Sequence, residues 1–324
     1  MNRYLNFRIP KEWLRKILEK HNKKKVIFYV DFLSVCKGLF KKDNIFFELQ
    51  YYMENRNPSE KLIEEYRNFL NVLYKEFKQY SPFFVTFYDD GKNLQNRLIQ
   101  NSYKDGRSAI KDIISSDDEL NAYYKLKELN FEKLKNRFTV NDRGIVIYLK
   151  NYESDLIPHY IIKNNYFDSS SYDVLNVILS TDKDLLQTCQ FKNTVQCTNR
   201  YFSSRGPNNR FQISVYNDYN AVSYIYDKFK PGGIITSKYI PLILSLAGDV
   251  ADNIPGIKSI GKAKAISKIQ NFNLPSNPDQ FYQIENLPKI LNDNISVIKN
   301  NYKMISFDEQ IKRTTLNIYG LGGV

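Results

Sequence analysis

Six short apolar, β-prone runs punctuate the chain, and the first four lead into carboxylates. The run 26–30 meets Asp31, and the run 83–88 meets Asp89. The run 145–149 is followed by Glu153 and Asp155, and the run 176–179 by Asp182 and Asp184. Two more runs lie at 194–197 and 211–216. Helical patterning fills 59–80, 117–137, 154–165 and 218–229. Strands that are apolar on both faces and alternate with helices predict an α/β fold with a mainly parallel central sheet flanked by helices.

Ahead of this pattern, residues 1–25 form a basic N-terminal extension with nine Lys or Arg against two Glu. Its Trp13, Leu14, Ile17 and Leu18 fit one stripe of a short helix. Pro231-Gly232-Gly233 breaks the alternation. Short helices are expected beyond it at 237–246, 262–270 and 288–300. The expected division is an extension at 1–25, an α/β core at 26–230 and a helical subdomain with its tail at 231–324.

In a parallel sheet, ligand sites gather beyond the carboxyl ends of the strands. For any one acid there, an N-cap or turn role is the simpler account. Acids at four strand ends favour a shared site. Clustered carboxylates raise one another's pKa and resist joint ionisation, which bound divalent cations relieve. An all-oxygen donor set suits two Mg²⁺, or Mn²⁺, better than Zn²⁺.

Charge narrows the class. The chain of 324 residues carries 47 Lys or Arg, 35 Asp or Glu and a formal charge of +12. That excess favours a polyanionic partner, nucleic acid first, although an AT-rich codon bias toward Lys and Asn would also raise it. Two histidines, His21 and His159, argue against a His-rich zinc site and a Ser-His-Asp hydrolase. Three cysteines, Cys36, Cys189 and Cys197, make no CxxC pair and are expected to be buried packing residues. No run is long enough for a membrane span, and residues 1–25 lack the apolar core of a signal peptide. A cytoplasmic monomer is the expectation, in the host cytoplasm if the chain is phage-encoded. Carboxylates binding Mg²⁺ inside a basic chain suggest phosphodiester hydrolysis.

The densest motif is Gly248-Asp249-Val250-Ala251-Asp252-Asn253-Ile254-Pro255-Gly256-Ile257-Lys258-Ser259-Ile260-Gly261-Lys262-Ala263-Lys264-Ala265. Gly256 and Gly261 allow close approach to a phosphate, a helix start offers free N–H groups, and Lys258, Lys262 and Lys264 add charge. Between 228 and 270 there are seven Lys, and Asp249 and Asp252 are the only acids. A clamp on the DNA backbone is expected there. Gly256 through Lys262 also matches the GxxxxGK phosphate loop of NTPases. Ala263 replaces its Ser/Thr, however, and a turn replaces the preceding strand.

Taken in order, these motifs resemble those of the 5′-nuclease superfamily: flap endonucleases, the 5′-exonuclease domains of DNA polymerase I and the phage 5′-exonuclease/RNase H enzymes. The 248–265 segment resembles their helix–three-turn–helix motif. Ser180-Thr181-Asp182-Lys183-Asp184-Leu185-Leu186-Gln187 is similar to S/T-x-D-x-D-L-x-Q. Tyr152-Glu153-Ser154-Asp155 resembles Tyr-Glu-Ala-Asp, and Val30-Asp31 the first metal-binding position. Asp89 followed by Tyr103-Lys104-Asp105-Gly106-Arg107 resembles the strand-end Asp and Tyr-Lys-x-x-Arg. Two departures stand out. Leu156 occupies the place of a frequent second Asp. After Asp31, Phe32 and Gly38 replace a Gly and an Arg, with Lys37 one place early.

The resemblance implies a PIN-like core, a helix–three-turn–helix subdomain and a helical arch at 104–137. It implies that Asp31, Asp89, Glu153, Asp155, Asp182 and Asp184 hold two Mg²⁺, with Asp249 and Asp252 completing the second site. Lys104 and Arg107 would face the scissile phosphate, and Tyr103 would stack on a base, though a core aromatic is an equal reading. A K⁺ ion at the hairpin 256–261 is also implied. The implied activity is a 5′→3′ exonuclease and flap endonuclease, with RNase H-like primer removal. Its substrates would be branched or nicked duplex DNA and RNA/DNA with 5′ ends. Replication partners such as single-strand-binding protein or polymerase would fit. Two alternatives are a catalytically impaired relative that only binds branched DNA, and a small RNA-directed α/β nuclease, which leaves 248–265 unexplained.

Overall fold

The computed structural model describes residues 8–36, 42–55, 60–89, 94–103, 143–149, 151–202, 210–230, 235–271 and 287–314, with isolated positions between 116 and 134 and at 278 and 281. The expected sheet is present. Its strands are β1 (Lys25–Asp31), β2 (Phe83–Asp89), β3 (Gly144–Leu149), β4 (Val174–Leu179), β5 (Thr194–Phe202) and β6 (Arg210–Tyr216). They lie in the order β3-β2-β1-β4-β5-β6. The pairings β1/β2, β1/β4, β2/β3 and β4/β5 are all parallel.

Parallel pairing sends the carboxyl ends of β1 to β4 to one edge, so their trailing acids start there. The sheet earns its place by burial: β1 is covered on both faces, and so is β4. Along the helix Glu60–Phe77, residues Ile63, Tyr66, Leu70, Leu73 and Phe77 recur at spacings of three and four. They face the same core as Val26, Phe28 and Val30. Leu14 and Leu18 of the helix Lys11–Lys20 are fully buried in that core, so this helix of the extension is part of the fold. Polar atoms inside find partners. The Tyr66 hydroxyl meets the Thr86 hydroxyl at 2.8 Å, and Asn176 donates to the Ser169 carbonyl at 2.7 Å. All three cysteines are buried and free, as expected.

Packing divides the chain into two compact units. One holds 1–92, 109–182 and 193–215; the other holds 93–108, 183–192 and 216–324. Where boundaries at 25 and 230 were expected, this division is interleaved. Its cause is visible in the second unit. Asn96 donates to the Met304 carbonyl at 2.9 Å, and Gln187 bridges the Ile305 carbonyl and the Phe307 N–H at 3.1 and 2.8 Å. These bonds tie short segments from mid-chain to the C-terminal helices Ile295–Ile305 and Phe307–Arg313.

Other elements differ from expectation for local reasons. The helix Lys42–Asn55 shows no apolar stripe in sequence, because bulky residues fall all around its wheel. The expected helix at 218–229 shortens to Ala221–Ile225. There the Asn217 side-chain carbonyl accepts from the N–H groups of Tyr219 and Asn220 and holds the chain in a turn. Among the described residues, no helix is long and apolar enough to cross a membrane.

Candidate functional site

In the sheet unit, Asp31 ends β1 and is buried. One of its oxygens accepts from the Ser34 N–H at 3.0 Å; the other accepts from the Ser180 hydroxyl at 2.6 Å and from the Ser34 hydroxyl. Asp31 thus caps the short helix Phe32–Val35, so the capping role open to any strand-end Asp is real here. A carboxylate has about four lone-pair sites, so the cap does not use up its capacity to bind a cation. Burial pushes its pKa above the usual carboxylate range. The hydroxyl and N–H donors oppose that shift, and the charge of Asp182 adds to it.

Asp182 follows β4 in a turn stitched by hydroxyls. Its N–H donates to the Ser180 Oγ at 3.0 Å, and its carbonyl accepts from Gln196 at 2.7 Å. Asp89, at the end of β2, accepts from both the N–H and the hydroxyl of Ser154, at 2.9 and 2.8 Å. That fixes the segment holding buried Glu153 and half-buried Asp155. Leu156, the departure from the family motif, is 1% exposed and opens the helix Leu156–Lys163.

Among the described residues, no three of Asp31, Asp89, Glu153, Asp155 and Asp182 bring oxygens within 4.8 Å of one another. Asp31 and Asp89 are each held by serine donors.

Asp184 belongs to a different group. In the second unit, Asp184, Asp249 and Asp252 bring carboxylate oxygens within 4.8 Å of one another. Asp249 and Asp252 are buried, and Asp184 is half-buried. The Lys183 ammonium lies 2.7 Å from the Asp249 Oδ2 and 3.9 Å from the Asp184 Oδ1. Oxygen donors at this spacing, with no sulfur or imidazole among them, suit Mg²⁺ or Mn²⁺.

The motif at 248–265 builds this group. The helix Ile240–Ala247 ends at Gly248, whose φ of 79° only glycine adopts readily. A Cβ on Gly256 would sit 2.3 Å from the Ala247 carbonyl oxygen. The two glycines therefore let backbone pack on backbone, which places Asp249. Asp249 and Ile254 exchange N–H···O bonds of 2.9 and 2.8 Å, closing the turn that carries Asp252. Asn301, which sequence reasoning missed, donates to the carbonyls of Ser245 and Pro255 at 2.9 and 2.6 Å and locks the turn to the helix.

Past this turn, Ile257 and Ile260 point into the core while Lys258 is exposed. The helix Lys262–Asn271 follows, with Lys264 exposed and Lys262 half-buried. A Cβ on Gly261 would meet nothing within 4 Å, so that backbone lies open. An open hollow of about 620 Å³ is lined by Tyr226, Ser259, Gly261, Lys262 and Lys264 among others. Tyr103 goes the other way. At 2% exposure inside the second core, it cannot stack on a base without leaving that core. Of the two readings of Tyr103, this burial supports the core one. Lys104 and Arg107 lie outside the described residues, as does most of 104–137.

Strand order and flanking helices define an α/β fold with a mainly parallel sheet, and solved structures share it. Among solved structures, the chain resembles the bacteriophage T5 D15 protein crystallised with metal ions, at a TM-score of 0.57 and 16% identity over 87% of this chain and 90% of that one. It also resembles the T5 D15 flap endonuclease in a pseudo-enzyme–product complex with DNA and metal ions, at a TM-score of 0.59 and 14% identity over 87% and 89% of the two chains. At such identities the likeness is one of fold. In sequence, 84 residues are 39% identical to a 5′-3′ exonuclease of Buchnera aphidicola subsp. Baizongia pistaciae, which is 25% of this chain and 27% of that relative. The match thus spans about a quarter of the curated relative. No family profile matches the chain.

Proposed function

We propose that the chain is a metal-dependent 5′-nuclease that hydrolyses phosphodiester bonds near the 5′ ends of DNA or RNA/DNA, as a 5′→3′ exonuclease and flap endonuclease. The reading is carried by one observation: three carboxylates with oxygens within 4.8 Å of one another, two of them from the segment that also presents Lys258, Lys262 and Lys264. Divalent cations held by such carboxylates would supply hydroxide and charge neutralisation at a scissile phosphate.

The protein's own residues do the rest. Asp184, Asp249 and Asp252 would hold one ion, and Asp31, Asp89, Glu153, Asp155 and Asp182 the other. Ser34, Ser154 and Ser180 hold Asp31 and Asp89 in fixed rotamers, so little reorganisation is needed when an ion arrives. The open backbone at Gly261 and the first turn of the helix Lys262–Asn271 would take a duplex phosphate, with Lys258, Lys262 and Lys264 around it. Lys104 and Arg107 would neutralise the phosphate under attack. The hairpin 256–261 would hold K⁺. Substrates would be branched or nicked duplexes with 5′ ends, met in the cytoplasm by a monomer and shared with replication proteins.

A labelled 5′-flap substrate incubated with Mg²⁺ tests the reading. Cleavage is expected, with Asp182→Asn abolishing it while duplex binding persists. Activity retained in EDTA, or in Asp182→Asn, would overturn the assignment. The burial of Leu156 favours a second reading, a relative that binds branched DNA without cutting it. Tight flap binding with no cleavage in Mg²⁺ or Mn²⁺ would select it.

A further inference from the structure

We infer that Lys183 is a built-in counter-cation for the Asp184–Asp249–Asp252 group, occupied in the metal-free protein and displaced when a divalent ion binds. This rests on the metal-site reading above. The basis is geometric. Three carboxylates share a space less than 4.8 Å across, and two of them are buried. Left alone, their like charges would repel one another across that space. The Lys183 ammonium sits at 2.7 Å from Asp249 and 3.9 Å from Asp184, in contact with two of the three acids. Its side chain is 21% exposed, so solvent screens the pair only in part.

A lysine suits this task better than an arginine. Its ammonium is a compact point charge on a flexible four-carbon stem, able to leave without rearranging a planar fork of hydrogen bonds. Lys183 also directly precedes Asp184 in the chain, so ion and counter-ion are delivered together by one turn. Two consequences follow. Lys183 offsets part of the negative charge of the metal-free group. The ion, in turn, must compete with an internal cation, which weakens its apparent affinity.

Mn²⁺ binding to the full chain, followed by calorimetry and by the loss of free-ion paramagnetic resonance signal, separates the possibilities. Lys183→Met keeps the stem and removes the charge. It should tighten the weaker class of Mn²⁺ sites about three- to tenfold and lower the melting temperature in EDTA, with added Mn²⁺ restoring more of it than in the parent. Lys183→Arg keeps the charge and should not tighten binding. Asp252→Asn serves as the control for the site itself and should remove one class of sites. Loss of a site in Asp252→Asn with no tightening in Lys183→Met would overturn the counter-cation role and leave the metal site standing. Unchanged binding in Asp252→Asn would overturn both.

Discussion

Ser154 gives Asp89 two hydrogen bonds at once, from its backbone N–H and its hydroxyl, both to the same carboxylate oxygen. A strand-end acid thus organises the loop that carries two further acids. Removing the hydroxyl in Ser154→Ala should cost about 1.5–3 kcal/mol, the usual size for a bond to a charged group. Asp89→Ala should cost more, because it strands two donors of a residue that is 5% exposed. Urea denaturation of the metal-free protein measures both, and equal losses would show that the N–H bond contributes nothing.

Asp31 makes a pH prediction. Burial raises its folded-state pKa above the unfolded value, so ionising it in the fold is uphill. Its contribution to stability is therefore full below the unfolded pKa and is lost as pH rises through the folded one. Asp31→Asn keeps an oxygen to accept from Ser34 and removes the charge. In EDTA the variant should match or exceed the parent in melting temperature at pH 8, and the difference should shrink as the pH is lowered. A parent more stable than the variant at pH 8 without metal would contradict the raised pKa.

Tyr103 illustrates how far the sequence could be read. Its place beside Lys104 suits a base-stacking role, yet Ile99, Leu186 and Tyr239 belong to the core around it, and that neighbourhood depends on long-range packing no local pattern encodes. The strand-end acids were legible because a parallel sheet turns chain order into position. Ser34, Ser154 and Asn301 were not, since a serine or an asparagine carries no sign of which carboxylate or carbonyl it will meet. The division of the chain into packed units was hidden too. Asp182 and Asp184 are two residues apart, but the boundary between the packed units falls between them. Tyr103→Ala should destabilise the fold by about 3–5 kcal/mol. Tyr103→Phe should leave affinity for a 5′-overhang duplex unchanged, as measured by fluorescence anisotropy.

Lys262 stands at the start of its helix beside the open backbone of Gly261. If a duplex phosphate docks there, Lys262→Glu should weaken binding of every sequence alike. It should also make the plot of log affinity against log salt shallower by about one unit. A salt slope equal to that of the parent would place the hairpin away from the DNA.

Leu156 closes the set, because family analogy and packing predict opposite results. By analogy, Leu156→Asp would restore an absent ligand and strengthen metal binding. By packing, the side chain is 1% exposed at the head of a helix whose Ile157, Ile161 and Ile162 are also buried. A carboxylate there would lose its water, at a cost of several kcal/mol. Leu156→Asp should therefore bind Mn²⁺ no better than the parent and should unfold at markedly lower urea. Leu156→Asn, of similar size and uncharged, should fall between the two. Tighter Mn²⁺ binding by Leu156→Asp with stability preserved would mean that position 156 faces the metal after all.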